Sequence, residues 1–206
     1  MSDFLYPFID GDECDADTLL RELAESAEAK TAASVALRDR TLTELDDALT
    51  RAAKAMAERF ARGGRLFTFG NGGSATDAAA TAALFAEPPT GTPRPARSLA
   101  ADAAIITALA NDVGFELVFS RQLIATARAD DIAFGLSTSG GSPNVLRAFA
   151  EAKRISMLTV GVAGYDGGEM AQLSALDHCL VVRSDSVHRI QETQSAVVHE
   201  LWGRIT

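Results

Sequence analysis

The sequence predicts an α/β protein with a parallel sheet that is covered by helices on both faces. Three observations lead to this prediction. Residues 17–62 contain no Gly or Pro, and their apolar residues recur at helical spacing. From Gly64 onward, short apolar runs alternate with helical segments. Two of the turns that follow apolar runs are rich in Gly and Ser. Strands joined by helices generally form a parallel sheet with both faces covered.

The first part of the chain is predicted to form two long helices. They occupy residues 17–62 and meet near residues 38–43, and Gly63 with Gly64 ends the second helix. Residues 1–14 have no clear period and are predicted to form an extended arm.

The rest of the chain is predicted to alternate between strands and helices. Its five predicted strands are residues 65–69, 96–100, 132–138, 157–162 and 179–182. Its predicted helices are residues 74–87, 103–110, 115–128, 143–153 and 188–205, with a short helix at 168–173.

Composition narrows the classes of function. The net charge is −9 and no Lys or Arg residues form a cluster, so direct binding to nucleic acid is not expected. No apolar stretch is long enough to cross a bilayer, and the N-terminus lacks the positive charge of a secretory signal. Cys14 and Cys179 follow no metal spacing and are too few for a disulfide framework. A cytoplasmic protein with no membrane partner is the expectation.

Two loops carry unusual chemistry. In residues 70–74, glycines bring bare backbone N–H groups close to an anion. Residues 137–142 add four hydroxyl groups beside further free amides. Ser142 is predicted to cap the next helix and Pro143 to be its first residue, so the helix dipole points into this loop. Together the loops predict a phosphate site.

The sequence of these loops allows two other interpretations. Either loop alone could be an ordinary tight turn with a serine cap. Gly70-x-Gly72-x-x-Ala75 also fits a dinucleotide fingerprint, which expects an acidic residue about 20 positions later at the end of a strand. Glu87 lies near that distance but at the end of a helix, and the second loop is left unexplained. The dinucleotide interpretation therefore ranks second.

The motifs together resemble the phosphoheptose isomerase family. The residues that carry the resemblance occur in the family's order and near its spacing, from about Gly63 to the C-terminus. They are Gly70-Asn71-Gly72-Gly73-Ser74-Ala75-x-Asp77-Ala78, Ala110-Asn111-Asp112, Ser137-Thr138-Ser139-Gly140-x-Ser142, Asp166-Gly167-Gly168 and Arg189-Ile190-Gln191-Glu192.

The resemblance implies a sugar isomerase (SIS) fold with a five-stranded parallel sheet, a homotetramer, and sedoheptulose 7-phosphate as substrate. We accordingly divide the chain into an arm with oligomerising helices, residues 1–62, and an SIS sugar-phosphate-binding domain, residues 63–206. The residues implied to hold the phosphate are Ser137, Thr138, Ser139 and Ser142. Those implied to contact the sugar are Asn71, Gly72, Gly73, Ser74, Asn111, Asp112 and Gln191. His199 matches the catalytic histidine, and Gln191 is implied to act with it in catalysis.

The chain departs from the family pattern in the helix after the first glycine loop. Where the family has a histidine and a glutamate, this chain has Ala80 and Leu84. With Gln191 and His199, that missing pair would complete the family's zinc site, so no zinc is expected here. Glu87, three residues past Leu84, could replace the missing carboxylate, but this substitution is not the favoured interpretation.

The departures leave two main hypotheses about function. The first is a ketose–aldose isomerase that works through an enediol with an incomplete catalytic site, on the heptulose or on another sugar phosphate. The second is a non-catalytic SIS tetramer that senses a phosphosugar or binds a protein, as one bacterial branch of the family binds the replication initiator DnaA. An apolar residue at Leu84 is the feature that favours the second.

Overall fold

The structure, a computed structural model, describes residues 16–205. The predicted arm at residues 1–14 and Cys14 lie outside the described residues. The chain divides into two compact units, Met1–Ala36 and Leu37–Thr206. The described part of the first unit is helical and exposes apolar side chains that include Leu20 and Leu23, which are 64% and 48% exposed.

The helices agree with the predicted pattern. They are α1 Ala16–Glu44, α2 Asp46–Ala61, α3 Gly73–Ala86, α4 Ala103–Val113, α5 Val118–Thr126, α6 Pro143–Arg154 and α7 Val187–Ile205, with 3₁₀ helices at Phe115–Leu117 and Gly168–Gln172. The break between α1 and α2 falls at Leu45, slightly later than predicted. The segment predicted as one helix from residue 115 instead begins as a 3₁₀ turn and ends where Ala127 becomes extended. None of the helices in residues 16–205 combines the length and the apolar character that a bilayer crossing requires.

The five strands form one parallel sheet, as predicted. They are β1 Leu66–Phe69, β2 Ala96–Ser98, β3 Ile132–Ser137, β4 Leu158–Gly164 and β5 His178–Val182, in the order β2-β1-β3-β4-β5. β1 pairs directly with β3, with Phe69 opposite Gly135. The loops that follow these two strands therefore leave the same edge of the sheet side by side.

Side chains alternate along the strands, and two apolar clusters result. One cluster joins alternate strand residues such as Leu66 and Phe134 to α2, α3 and α7. The other joins Phe67 and Phe69 to α5 and α6. The sheet is thus covered on both faces, which fixes the helices α3, α6 and α7 around its carboxyl edge.

Candidate functional site

A pair of amide side chains connects the two loops. Asn71 Nδ2 donates to Asn144 Oδ1 at 2.8 Å, and Asn144 Nδ2 donates to Asn71 Oδ1 at 2.8 Å. Asn144 is 1% exposed and lies in the first turn of α6. The loop after β1 and the loop after β3 are therefore held at a fixed distance from one another. Asn71, which the resemblance implies as a sugar contact, uses its side chain to hold this pair.

Asn144 is not among the site residues that the sequence predicts. One feature of the sequence could have indicated a role for Asn144. It is a polar residue directly after the proline that begins α6, at a buried position where an apolar residue would be expected. A single sequence does not say which partner such a side chain meets.

Replacing Asn144 with Leu is expected to lower the free energy of unfolding by about 1–3 kcal/mol, because the Asn71 amide is left without its partner in a partly buried loop. Urea denaturation measures the change. In a double-mutant cycle with Asn71→Ala, the double variant should lose less than the sum of the two single losses. Strictly additive losses would show that the pair does not stabilise the loops.

The hydroxyl groups of the second loop are arranged by hydrogen bonds within it. Ser137 is 4% exposed; its Oγ accepts from the Gly140 N–H at 3.1 Å and lies 3.2 Å from Ser142 Oγ. Ser139 is exposed and accepts from the Gly141 N–H at 3.3 Å. Thr138 is half-buried. The loop thus presents the Ser139 hydroxyl at the protein surface, while Ser137 is buried beneath it.

The predicted capping role of the Ser142 side chain is wrong. Ser142 is the residue before α6 and Pro143 is the first residue of the helix, but the Ser142 side chain makes no capping hydrogen bond. Its hydroxyl pairs with Ser137 instead. Consequently the amides at the start of α6 are not occupied by that side chain.

The turn after β4 braces the second loop. A side chain at Gly140 would place its Cβ 2.0 Å from the Gly167 carbonyl oxygen, and one at Gly168 would place it 2.3 Å from the Ser139 carbonyl oxygen. Both glycines have a positive φ. The two backbones approach so closely that only glycine fits at these two positions.

The helix α7 brings Gln191 to the first loop. A Cβ at Gly73 would lie 2.1 Å from Gln191 Nε2, so the absence of a side chain there makes room for the Gln191 amide. Gly73 is the first residue of α3, and Gly72 precedes it with φ 54°. The amide therefore sits beside the N-terminus of α3.

A cleft of about 400 Å³ lies between α3 and α7. It brings together Glu87 and His199 with the two positions at which the chain departs from the family. The residues that line it are Asp77, Ala80, Thr81, Ala83, Leu84, Glu87, Leu136, Ser195, Val198 and His199. Leu84 is half-buried and packs against the core, whereas Glu87 is exposed at the end of α3.

His199 is oriented by its own helix. Its Nδ1 lies 2.8 Å from the Ser195 carbonyl oxygen. A carbonyl oxygen only accepts, so Nδ1 carries the hydrogen and donates it. In the neutral imidazole, Nε2 then carries the lone pair.

Asp77 is a carboxylate in the cleft that the candidate residues drawn from the sequence did not include. Burial raises the pKa of its carboxyl group, and a hydrogen bond with the Gln191 side chain opposes that shift. Its Oδ2 is buried and has no hydrogen-bond partner among residues 16–205. The only signal for Asp77 in the sequence is its place in the glycine motif. That signal is weak, because an acidic residue in a helix is equally well explained by a surface position.

None of the seven residues implied as sugar contacts is among those that line the cleft. Asn111 and Asp112 are exposed in the last turn of α4 and pair with one another at 3.0 Å, and neither lines the cleft. Ser74 is 5% exposed in the first turn of α3. Their roles in binding stay predictions.

The cleft has few side chains that could act as ligands of a zinc ion. Ala80 and Leu84 contribute no donor, which leaves His199 and the weak ligand Gln191 from the family's set. Within the part of the chain that is described, no three His, Cys, Asp or Glu side chains are grouped so that they could hold a metal ion. Protein zinc sites generally have at least three protein ligands, so this donor set does not fit zinc.

Comparison with known proteins gives consistent matches. Residues 31–164 match the model of the SIS domain. The chain is 42% identical to the phosphoheptose isomerase of Campylobacter jejuni strain 81116 over 159 residues, covering 74% of this chain and 82% of that protein. It is 40% identical to that of Solidesulfovibrio magneticus over 191 residues, covering 90% and 89%.

Solved structures of phosphoheptose isomerases have a fold similar to that of this chain. The phosphoheptose isomerase GmhA from Neisseria gonorrhoeae superposes with a TM-score of 0.82 at 34% identity, covering 89% of this chain and 98% of that one. A phosphoheptose isomerase from Francisella tularensis superposes with the same TM-score at 32% identity, covering 88% and 97%.

Proposed function

This chain belongs to the SIS-domain family of phosphoheptose isomerases, and on that premise we propose that it binds sedoheptulose 7-phosphate and interconverts it slowly with an aldoheptose phosphate. The observation that carries the proposal is the joining of two loops by Asn71 and Asn144 beside a cleft that contains His199.

The second loop is proposed to hold the phosphate. Ser139 is exposed, and the hydroxyls of Ser137, Thr138 and Ser142 lie in the same loop. The loop leads directly into the N-terminus of α6, where the helix dipole favours an anion. No lysine is needed for such a site, which agrees with an acidic chain.

The cleft is proposed to hold the reacting end of the sugar. An isomerisation through an enediol requires one group that takes a proton from carbon and one that protonates oxygen. The free Nε2 of His199 suits the first role. Leu84 offers no carboxylate for the second, so turnover is expected to be slow. We also propose that the site works without zinc, since its donor set is incomplete.

The alternative of a DnaA-binding adaptor is not favoured. The relatives that cover most of the chain are phosphoheptose isomerases by name. Leu84 is the one feature that pointed to the adaptor, and it is compatible with a slow enzyme.

Titration calorimetry with sedoheptulose 7-phosphate tests binding, and unphosphorylated sedoheptulose is the matched control. We expect binding of the phosphate ester and none of the free sugar at the same concentration. Proton NMR of the same mixture then follows the appearance of the aldose. Equal affinity for both sugars would contradict the phosphate site, and binding without any aldose would contradict the isomerase.

A homotetramer is the proposed assembly. Leu20, Leu23 and Val35 are exposed on α1, and apolar side chains in such number favour contact with another copy of the chain. Light scattering at micromolar concentration is expected to give about four times the chain mass of 21.7 kDa. Leu20→Glu with Leu23→Glu should reduce that mass, whereas the exposed control Glu25→Ala should not. A monomeric parent chain would refute the proposal.

A further inference from the structure

A second cavity, separate from the cleft that contains His199, lies at the carboxyl edge of the sheet, where β4 and β5 end. Its volume is about 890 Å³, more than twice that of the cleft. All its lining residues belong to the unit Leu37–Thr206. Those that carry a charge or an aromatic ring are Arg40, Tyr165, Asp166, Arg183, Asp185 and Arg189. We call it the arginine cavity, and none of its side chains has a role in the proposed function.

The three arginines of this cavity come from three different segments. Arg40 lies on α1, Arg183 follows β5, and Arg189 lies in the first turn of α7. The ion pairs among residues 16–205 include neither Arg183 nor Arg189. Arg40 has only an exposed pair with Glu44, at 4.0 Å. Because like charges repel, a fold that brings three guanidinium groups to one cavity is stabilised by an anion between them.

Two aspartates also line the arginine cavity, but neither pairs with its arginines. Asp166 Oδ1 accepts a hydrogen bond from the Gly168 N–H at 3.1 Å, within its own turn. Asp185 is exposed and is absent from the ion pairs of the described residues. The charged side chains that line the cavity have a formal charge of +1, whereas the whole chain has −9. The cavity is therefore locally positive in an acidic protein.

The backbone of Tyr165 is strained at this cavity. Its φ of 52° lies in the left-handed region, which is unfavourable for a residue with a bulky side chain. Such strained residues are concentrated at ligand-binding sites. Tyr165 is 36% exposed and directly follows β4, so its ring is available to a ligand beside the guanidinium groups. An aromatic ring of this kind stacks on another planar ring.

We propose that the arginine cavity binds a nucleoside diphosphate. A guanidinium group donates two parallel hydrogen bonds to phosphate oxygens, so the arginines suit the diphosphate. The N-terminus of α7, which reaches the cavity at Arg189, adds the favourable end of a helix dipole. The ring of Tyr165 suits the base. The cavity volume also agrees, because small-molecule pockets generally measure about 300–1,000 Å³.

The proposed site is adjacent to the second loop but does not share its side chains. No residue of the loop 137–142 lines the arginine cavity. The turn after β4 contacts both sites, because Tyr165 lines the cavity while Gly168 approaches the Ser139 carbonyl oxygen. Both sites attract phosphate groups, so the experiment must separate them.

Titration calorimetry with ADP separates the sites when the second loop is disabled by Ser137→Ala with Ser139→Ala. We expect ADP to bind this variant as tightly as it binds the parent chain. Adding Arg40→Gln and Arg183→Gln should weaken ADP binding by about 10²–10⁴-fold, because each removes a charge-assisted hydrogen bond to phosphate. Arg128→Gln is the matched control and should leave ADP affinity unchanged, since Arg128 is exposed ahead of β3, at the opposite edge of the sheet.

Two further measurements test the chemistry of recognition. Pyrophosphate, which has no base, should bind about 10–100-fold more weakly than ADP, and Tyr165→Gly should lower ADP affinity by a similar factor. Arg183→Lys keeps the positive charge but loses the paired donors, so its ADP affinity should lie between those of the parent and Arg183→Gln.

Binding of sedoheptulose 7-phosphate shows that the variants keep their fold. Arg40→Gln with Arg183→Gln should bind this ester like the parent; Arg189 is left unchanged because it is two residues from Gln191. The proposal is overturned if ADP fails to bind the parent, or binds equally well after both arginine substitutions. Loss of ADP binding in Ser137→Ala with Ser139→Ala would place ADP in the second loop and overturn it too. ADP binding that depends on the arginines supports the proposal even if the sugar ester does not bind, an outcome that contradicts only the proposed function.

Discussion

Ala80→His combined with Leu84→Glu is expected to raise the isomerase rate by about 10²–10⁴-fold and to create zinc binding. The two positions are four residues apart on α3 and line the cleft that contains His199. The substitutions restore a histidine and a carboxylate opposite His199 and Gln191, which brings the number of donors to that of stable zinc sites. Turnover of sedoheptulose 7-phosphate and zinc content after dialysis measure the two effects.

Ala79→Glu is the matched control for the added charge, because Ala79 is exposed on α3 and does not line the cleft. It should change neither rate nor zinc content. Leu84 packs against the core, so thermal unfolding should accompany each assay. If the parent chain already isomerises the heptulose with ordinary efficiency, the interpretation of Leu84 is wrong. Glu87, which lines the same cleft, then becomes the candidate base, tested by Glu87→Gln.

Ser137→Ala combined with Ser139→Ala is expected to abolish measurable binding of sugar phosphates at micromolar concentration. Each hydrogen bond lost to a charged phosphate costs about 1.5–3 kcal/mol, and about 1.4 kcal/mol is a tenfold change in affinity. The double variant should therefore bind about 10²–10⁴-fold more weakly. Calorimetry measures the loss.

The single variants separate binding from folding. Ser139 is exposed, so Ser139→Ala should weaken binding with little change in stability. Ser137→Ala also removes the acceptor of the Gly140 N–H and should lower stability as well. Ser120→Ala is the control. It removes a buried hydroxyl from α5, outside the loop, and should leave the affinity for sugar phosphates unchanged. Unaltered affinity in the double variant would contradict the assignment of the phosphate loop.

The sequence was sufficient for the fold because its local signals agree with one another. Gly63 and Gly64 end α2, apolar runs mark the buried strands, and Pro143 opens α6, so each boundary has a local physical cause. The break between α1 and α2 was placed too early because no Gly or Pro marks it. Leu45 lies in a run of good helix formers, and its position depends on packing.

The site was predicted less completely, for a physical reason. Residues drawn from contiguous motifs, such as Gly72 and Ser139, do lie in adjacent loops. Contacts between distant segments were not readable in the same way. Asn71 meets Asn144 across 73 positions, and Asp77 shares a cleft with His199 from another helix. The Ser142 hydroxyl pairs with the Ser137 hydroxyl and does not cap α6. Which of these two hydrogen bonds forms depends on the three-dimensional arrangement of the loop.

The close approach of Gly140 and Gly168 to neighbouring carbonyl groups limits how this protein can evolve. Any larger residue at either position would push the two turns apart and distort the loop of residues 137–142, which is proposed to hold the phosphate. The α3 face has no such restriction, because Ala80 and Ala83 are exposed and line an open cleft. Substitutions at these two positions can therefore reshape the cleft without disturbing the two turns that pack together at Gly140 and Gly168.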